Sequence, residues 1–404
     1  MKRIAFVATL IVLASPALRA QERMGSGASP AASYRPGWTF TPIFGVAKTY
    51  DDNISLFGHD TAETQNNDVV TTYFPQADLH YTGKRTQFGS SYSGSFLAYR
   101  TYDALNRWDQ RVRVELKREE TARFRWFAHG NAAWLPTTDL IDLAGIPFQH
   151  TGARTLDGRA GVEYIAGGRD AFTTSLTAQD VQFDRSLQNP NSQLVGGQMM
   201  STLSTWRHRL DERLAVGADY SYRVAHMTGQ IESFNLHVVQ AAADYALSPE
   251  WMLSAGGGFV YMPATLISLA RTGPAYYASV ERHREGRTFH AGYERSYIPA
   301  FGIGGVVENQ EVRAGFKTPL FHSRHFYNDT GAVFRNDEPL TDQFVQLPLR
   351  SLRAYTLVGW APQPWMHIEG FYARTSQTSL QAGGRLDRNR IGFQIVTSKP
   401  MRIE

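Results

Sequence analysis

Residues 216–224 read Val216-Gly217-Ala218-Asp219-Tyr220-Ser221-Tyr222-Arg223-Val224. Apolar and polar side chains alternate with a period of two. A strand therefore shows Val216, Ala218, Tyr220, Tyr222 and Val224 on one face, and Gly217, Asp219, Ser221 and Arg223 on the other. The pattern recurs in both directions. Upstream, Trp38, Phe40, Phe44 and Val46 alternate with Thr39, Thr41, Gly45 and Thr49; Val112, Val114 and Leu116 alternate with Arg111, Arg113, Glu115 and Lys117. Downstream, Asn389, Ile391, Phe393 and Ile395 mark the last strand. A soluble barrel buries the apolar face and shows the charged face to water. A transmembrane barrel turns the apolar face to lipid and the polar face to its lumen.

The connections separate these cases. Short turns, such as Gly83-Lys84, Leu210-Asp211-Glu212-Arg213 and Pro362-Gln363-Pro364, alternate with longer loops such as 51–67, 135–154 and 184–194. Short periplasmic turns and longer outer loops are the rule for outer-membrane barrels. Eight turns and nine loops predict an all-β, antiparallel transmembrane outer-membrane barrel of 18 strands, with 16 as the alternative, over residues 37–396. Both termini are then periplasmic. Tryptophans 38, 108, 134, 206, 251, 360 and 365 fall near strand ends, where an amphipathic ring sits at headgroup level; Trp126 falls closer to a strand centre. Pro42 and Pro75 interrupt the first two strands and predict bulges at the closing seam. Residues 397–404 read as a polar tail.

The flanks and composition agree with export. Lys2 and Arg3, the apolar run Ile4 to Leu13, and the small-residue zone from Ser15 to Ala20 have the layout of a cleaved signal peptide over 1–20. A run this short is below the roughly 20 residues of a membrane-spanning helix. Residues 21–36 read as a flexible periplasmic linker. The chain has no cysteine, which removes disulfides and thiolate metal sites. Of its 41 basic residues three are in the leader, leaving 38 against 37 acidic ones. That balance gives no reason to expect nucleic acid as a partner. The expected partners are outer-membrane lipids and the barrel-assembly machinery, and no cofactor is implied.

Strand parity names the inward set: Arg111, Arg113, Arg123, Arg125, Arg207, Arg223, Arg313, Arg353, Arg388 and Arg390, with Asp78, Glu115, Asp219, Glu281, Glu294, Glu311 and Glu369. Mixed charges pair across neighbouring strands and stiffen a wall. The arginine excess also attracts anions, since a guanidinium matches carboxylate and phosphate, and predicts a pore of weak anion preference. Arg111, Arg113, Arg123 and Arg125 form the densest cluster, on two strands joined by one turn. Two outer loops share Pro, Thr, Leu-Ile and Leu-Ala in order, 135–144 and 262–270. They predict a pair of apolar gates built on Leu140, Ile141 and Leu143, and on Leu266, Ile267 and Leu269. Excising 137–146 is expected to raise conductance.

Tyr50-Asp51-Asp52-Asn53, closing the first strand, resembles the opening strand of the β-barrel porin family associated with exopolysaccharide export. The resemblance extends loosely over 37–396. It implies an outer-membrane conduit for a secreted polysaccharide, working with periplasmic or inner-membrane export proteins, and brings no catalytic residue; the arginine lining makes an acidic polysaccharide the expected cargo. The chain departs from the common pattern in lacking a terminal aromatic residue. Read by themselves, Asp51, Asp52 and Asn53 are turn formers. With Asp60, Asp51 and Asp52 would also make an oxygen-rich calcium site, though at no defined spacing. A rim hydrolase using His59 and Asp60 is a further alternative, and a general diffusion porin of weak anion preference is the main rival to the polysaccharide conduit. No nucleophile elbow or phosphate-binding glycine loop is present.

Overall fold

The computed structural model describes residues 36–56, 66–139, 144–148, 151–184, 194–229, 233–265, 268–321, 323, 325–340, 348–379 and 384–403. The leader at 1–20 and nearly all of the linker lie outside these residues, as do His59 and Asp60.

The period-two segments become long strands. In order they are β1 (Gly37–Asp51), β2 (Asp68–Thr82), β3 (Thr86–Tyr99), β4 (Arg107–Glu119), β5 (Phe124–Pro136) and β6 (Gly152–Ala166). Then come β7 (Asp170–Phe183), β8 (Gly197–Arg209), β9 (Leu214–Met227), β10 (Ser233–Ala246), β11 (Trp251–Met262) and β12 (Arg271–Arg284). The last are β13 (Arg287–Pro299), β14 (Val306–Pro319), β15 (Phe326–Pro339), β16 (Leu349–Gln363), β17 (Met366–Ser379), β18 (Gly384–Ser398) and β19 (Met401–Ile403). Each strand from β1 to β18 pairs antiparallel with its sequence neighbours, and β1 pairs with β18 as well as β2, which closes an 18-strand barrel. Closure leaves the long strands no edge, so each of β1 to β18 finds backbone partners on both sides.

The seam differs in detail from the sequence expectation. Residues 401–403 are not a loose tail: they continue the wall as β19, pairing Met401 with Phe40 and Ile403 with Trp38. The prolines make no bulge. Pairing of β1 with β18 and β19 keeps one register and skips only the rows around Pro42 and Pro400, since proline has no N–H to donate. Likewise the β2–β3 ladder lapses at Phe74 and Pro75, then resumes without a shift. The register shift in the barrel lies instead between Trp360 and Gln363, at the β16–β17 turn.

One face of the wall is an apolar belt. Phe44, Phe96, Val112, Val114, Leu156, Leu176, Met200, Phe259, Val358, Ile391 and Phe393 are all exposed on the outside. Such a continuous band belongs in lipid. Trp38, Trp206, Trp251 and Trp360 lie near the strand ends that meet the short turns, with Trp365 in a turn; Trp108 and Trp134 mark the outer ends of β4 and β5. Trp126 also belongs to the periplasmic rim: it is the third residue of β5, and its Nε1 donates to Glu120 at 3.1 Å. Short turns are tied locally. In the β8–β9 turn the Asp211 carboxylate accepts from the N–H groups of Arg213 (2.6 Å) and Leu214 (2.8 Å), which holds that carboxyl below its usual value.

The inner face has two characters. Aromatic rings on it lie over glycines of the adjacent strand, as Phe74 does over Gly45. A Cβ on Gly45 would fall 2.0 Å from that ring. Elsewhere the outer half of the lumen is filled rather than open. Inward residues of β7 and β9–β12, including Val181, Met227, Leu236, Val260 and Met262, pack with Phe301 from the β13–β14 loop into one apolar cluster.

Candidate functional site

The sequence-derived parity of the lumen holds for Arg111, Arg113, Arg125, Arg207, Arg223, Arg313, Arg353, Arg388 and Arg390: the strand registers put all of them on the face opposite the apolar belt. Arg123 is the exception. It lies in the turn before β5 and is exposed, because strand pairing begins only at Phe124. The four-arginine cluster is accordingly not one site. Arg113 faces Asn131 across the β4–β5 ladder, whereas Arg125 faces Glu119. Six residues of β5 separate these rows, roughly 20 Å at about 3.3 Å per residue. Arg125 sits between Glu119 (3.3 Å) and Glu163 (3.7 Å) at the periplasmic end.

Most inward charges brace the wall. Arg207 contacts Asp219 at 2.6 Å and Asp244 at 3.0 Å. Glu311 is buried between Arg313 and Arg335, with Arg335 Nε donating at 3.0 Å. Arg223 reaches the Tyr297 carbonyl at 3.4 Å. Arg388 grips Asp51 through Nε at 2.9 and 3.0 Å.

That last pair explains the Tyr50–Asn53 turn. Tyr50 points outward and is exposed, whereas Asp51 is 1% exposed and ion-paired to β18. The Asp52 carboxylate accepts from the Asn389 backbone N–H (2.6 Å) and side-chain amide (2.7 Å). Asn53 Nδ2 donates to the Asp387 carbonyl at 2.9 Å. The turn thus staples the first strand to the last. Its carboxylates are engaged, which removes the expectation that Asp51 and Asp52 hold calcium. Among the described residues no cluster of three metal-ligating side chains occurs.

Two outer loops enter the barrel. After β5, a 3₁₀ turn at Thr137–Asp139 leads inward. Leu140, Ile141 and Leu143 lie outside the described residues, but Ala144–Phe148 continue as a strap that reaches the far wall. Gly145 N donates to Asp337 Oδ2 (2.9 Å) on β15. Gln377 of β17 clamps the strap twice, donating to the Ile146 carbonyl (3.0 Å) and accepting from Phe148 N (2.7 Å). The second loop is 300–305, between β13 and β14. Ile303 N donates to the Gly145 carbonyl at 2.9 Å, and Gly302 exchanges hydrogen bonds with Val195 at 2.8 and 2.9 Å. Gly145 (φ +68°) and Gly302 (φ +100°) meet where the loops touch, and a Cβ on Gly145 would lie 2.6 Å from that of Ala300. Of the expected second gate, Leu269 is 75% exposed, and Leu266 and Ile267 lie outside the described residues. An apolar insert that the sequence reading did not name is Phe301, packed in the cluster of β7 and β9–β12. Its signal in the sequence was Phe301 and Ile303 among the glycines of an outer loop.

The strap's root presents Asp139 to an arc of arginines. Burial pushes its carboxyl up, but Arg390, Arg353, Arg107 and Arg388 together outweigh that and hold it below the ordinary value, so it stays ionised. Arg390 forms no ion pair within 4 Å among the described residues, and it lies near enough to Arg388 and Arg353 for their charges to add. The arc runs from β16 through the seam to β4, where Arg107, Arg111 and Arg113 continue it. Of this group, Arg353, Arg388, Arg390, Arg111 and Arg113 were legible from parity; Arg107 and Asp139 were not.

No protein-family model matches this sequence, and no curated protein matches it. Among solved structures the chain is similar to OccAB4 of Acinetobacter baumannii (TM-score 0.47, 9% identity, 92% of this chain and 100% of that one). It is also similar to OccK1 (OpdK) of Pseudomonas aeruginosa (TM-score 0.44, 11% identity, 90% and 99%) and to OpdQ of the same organism (TM-score 0.43, 7% identity, 91% and 98%). The closed barrel from β1 to β18 is established by this chain's own strand pairing, not by these likenesses.

Proposed function

We propose that this protein is an outer-membrane channel through which small anionic solutes diffuse, delivered by export with removal of the 1–20 leader. The observation that carries the reading is the placement of the inward strap. It leaves the apolar side of the outer lumen packed and directs passage along Arg353 and Arg390, beside the buried Arg388–Asp51 pair. Their guanidinium groups raise the local concentration of anions, and Asp139 opposite them keeps the preference weak. The test is the reversal potential of the refolded barrel in a planar bilayer under a KCl gradient. The wild type is expected to favour chloride, and Arg353→Gln with Arg390→Gln to move the potential toward the potassium value. A wild type that favours potassium would sink the reading.

A conduit for an acidic polysaccharide is the second reading, favoured by the resemblance at Tyr50–Asn53. With it come periplasmic export proteins as partners. The strap weighs against it, since a polymer needs a passage that a hydrogen-bonded crossing segment narrows. Acidic oligosaccharide that interrupts the current in long blocks would favour the polymer; a current indifferent to it favours small solutes.

A further inference from the structure

The β2–β4 sector of the arginine arc contains a recess beneath Leu135, lined by Gln76, Asp78, Ser93, Asp109, Arg111 and Arg113. Its floor is β3, which sends Ser91, Ser93 and Ser95 inward; these are short polar side chains, flanked on both neighbouring strands by longer ones. The registers order the chemistry in rows. Asp78, Ser91 and Arg113 share one row across the three strands, and Gln76, Ser93 and Arg111 share the next. Asp109 stands beside Ser95 in the third. Strands about 4.8 Å apart put the Asp78 and Arg113 backbones roughly 10 Å from each other, with successive rows about 7 Å apart. The side chains reach toward each other over the serine, so negative and positive heads face one another across the length of a small molecule. Their charges already interact across this gap.

We propose that this recess is a binding step for small zwitterions of the α-amino-acid type. The solute's carboxylate lies on the Arg111 and Arg113 guanidinium groups, which donate to it in the geometry that carboxylates favour. Its ammonium donates to the Asp78 carboxylate, and the Ser91 and Ser93 hydroxyls take up hydrogen bonds between the two ends. A simple anion meets the arginines but is opposed by Asp78 and Asp109. A neutral solute engages neither sign. This site rests on the reading of the barrel as a small-solute channel and names a solute class that net anion attraction by itself does not select.

The experiment uses the full barrel in liposomes and compares entry of serine, lactate and glycerol, which are close in size and differ in charge pattern. Serine is expected to enter faster than glycerol. Asp78→Asn should lower serine entry about fivefold, the scale of one solvated charge contact, while lactate entry holds or rises. Arg113→Gln should lower serine and lactate together. Ser93→Val fills the floor without changing charge and should slow serine alone. Folded barrels are verified for each variant by heat-modifiable migration on gels. Equal entry of all three solutes into wild-type liposomes, or an Asp78→Asn effect shared equally by lactate, overturns the zwitterion site and leaves the channel reading standing. Exclusion of all three solutes together with absent conductance overturns both.

Discussion

The arc from β16 through the seam to β4 and the arc from β7 to β12 face each other across the lumen with opposite chemistry. On the first, inward positions carry Arg353, Arg388, Arg390, Arg107, Arg111 and Arg113. On the second, the inward positions of the outer half are Val181, Met227, Leu236, Val260 and Met262, and Phe301 is packed upon them. Alternation along a barrel strand requires an apolar outward face, because lipid offers nothing else. It requires no such uniformity inside. An inward face can be apolar wherever a loop covers it, and the loop then removes that sector from the water path. On the proposed reading, selectivity belongs to the arc that was left uncovered.

The charged arc is the more vulnerable of the two. Arg388→Ala leaves the Asp51 carboxylate buried and unpaired where β1 meets β18, and is expected to cost about 3–5 kcal/mol. The urea midpoint of the refolded barrel, followed by tryptophan fluorescence, should fall accordingly; an unchanged midpoint would mean that the ladder alone holds the seam. On the apolar side, Phe301→Ala removes the insert. A truncated buried phenylalanine costs about 3 kcal/mol, and loosening the 300–305 loop is expected to raise single-channel conductance. Conductance equal to wild type would show that the packed sector does not limit flow.

Two smaller changes sharpen the comparison. Asp139→Asn removes the carboxylate that faces the arginines. A unit charge about 8 Å away in water is worth about 0.5 kcal/mol, so chloride-over-potassium preference should rise about twofold in reversal-potential measurements. A fall in preference would mean that Asp139 organises the arginines rather than offsetting them. Arg125→Gln acts on a solvated pair at the periplasmic end and should alter stability by a few tenths of a kcal/mol with selectivity unchanged. A selectivity change there would move the filter away from the strap.

Several of these features were legible in the chain, and the departures have identifiable causes. Parity assigned nine of the ten arginines because period two is a local property of the backbone. Arg123 failed since alternation in sequence runs on through a turn and does not mark where pairing begins. Met401 and Ile403 continue the outward apolar period, but Pro400 hid the continuation; the wall simply omits the hydrogen bonds at that row. The loops at 135–144 and 262–270 look alike in composition, yet one leads into the lumen and the other leaves Leu269 in solvent. Composition cannot distinguish them, because what anchors the strap is Asp337 and Gln377, on strands far along the chain.

Side-chain alternation and turn residues in the sequence dictate the antiparallel transmembrane barrel, the alternation of short turns and longer loops, and the side of the wall on which nine of the ten named arginines stand. Both act over a few residues. The tertiary structure alone decided that Tyr50–Asn53 staples the seam, that Phe301 fills one sector, and that Asp139 faces Arg390. Each depends on closure. Asp51 and Arg388 are 337 residues apart and Phe148 and Gln377 are 229 apart, and only a closed ring of strands brings such pairs within hydrogen-bonding reach.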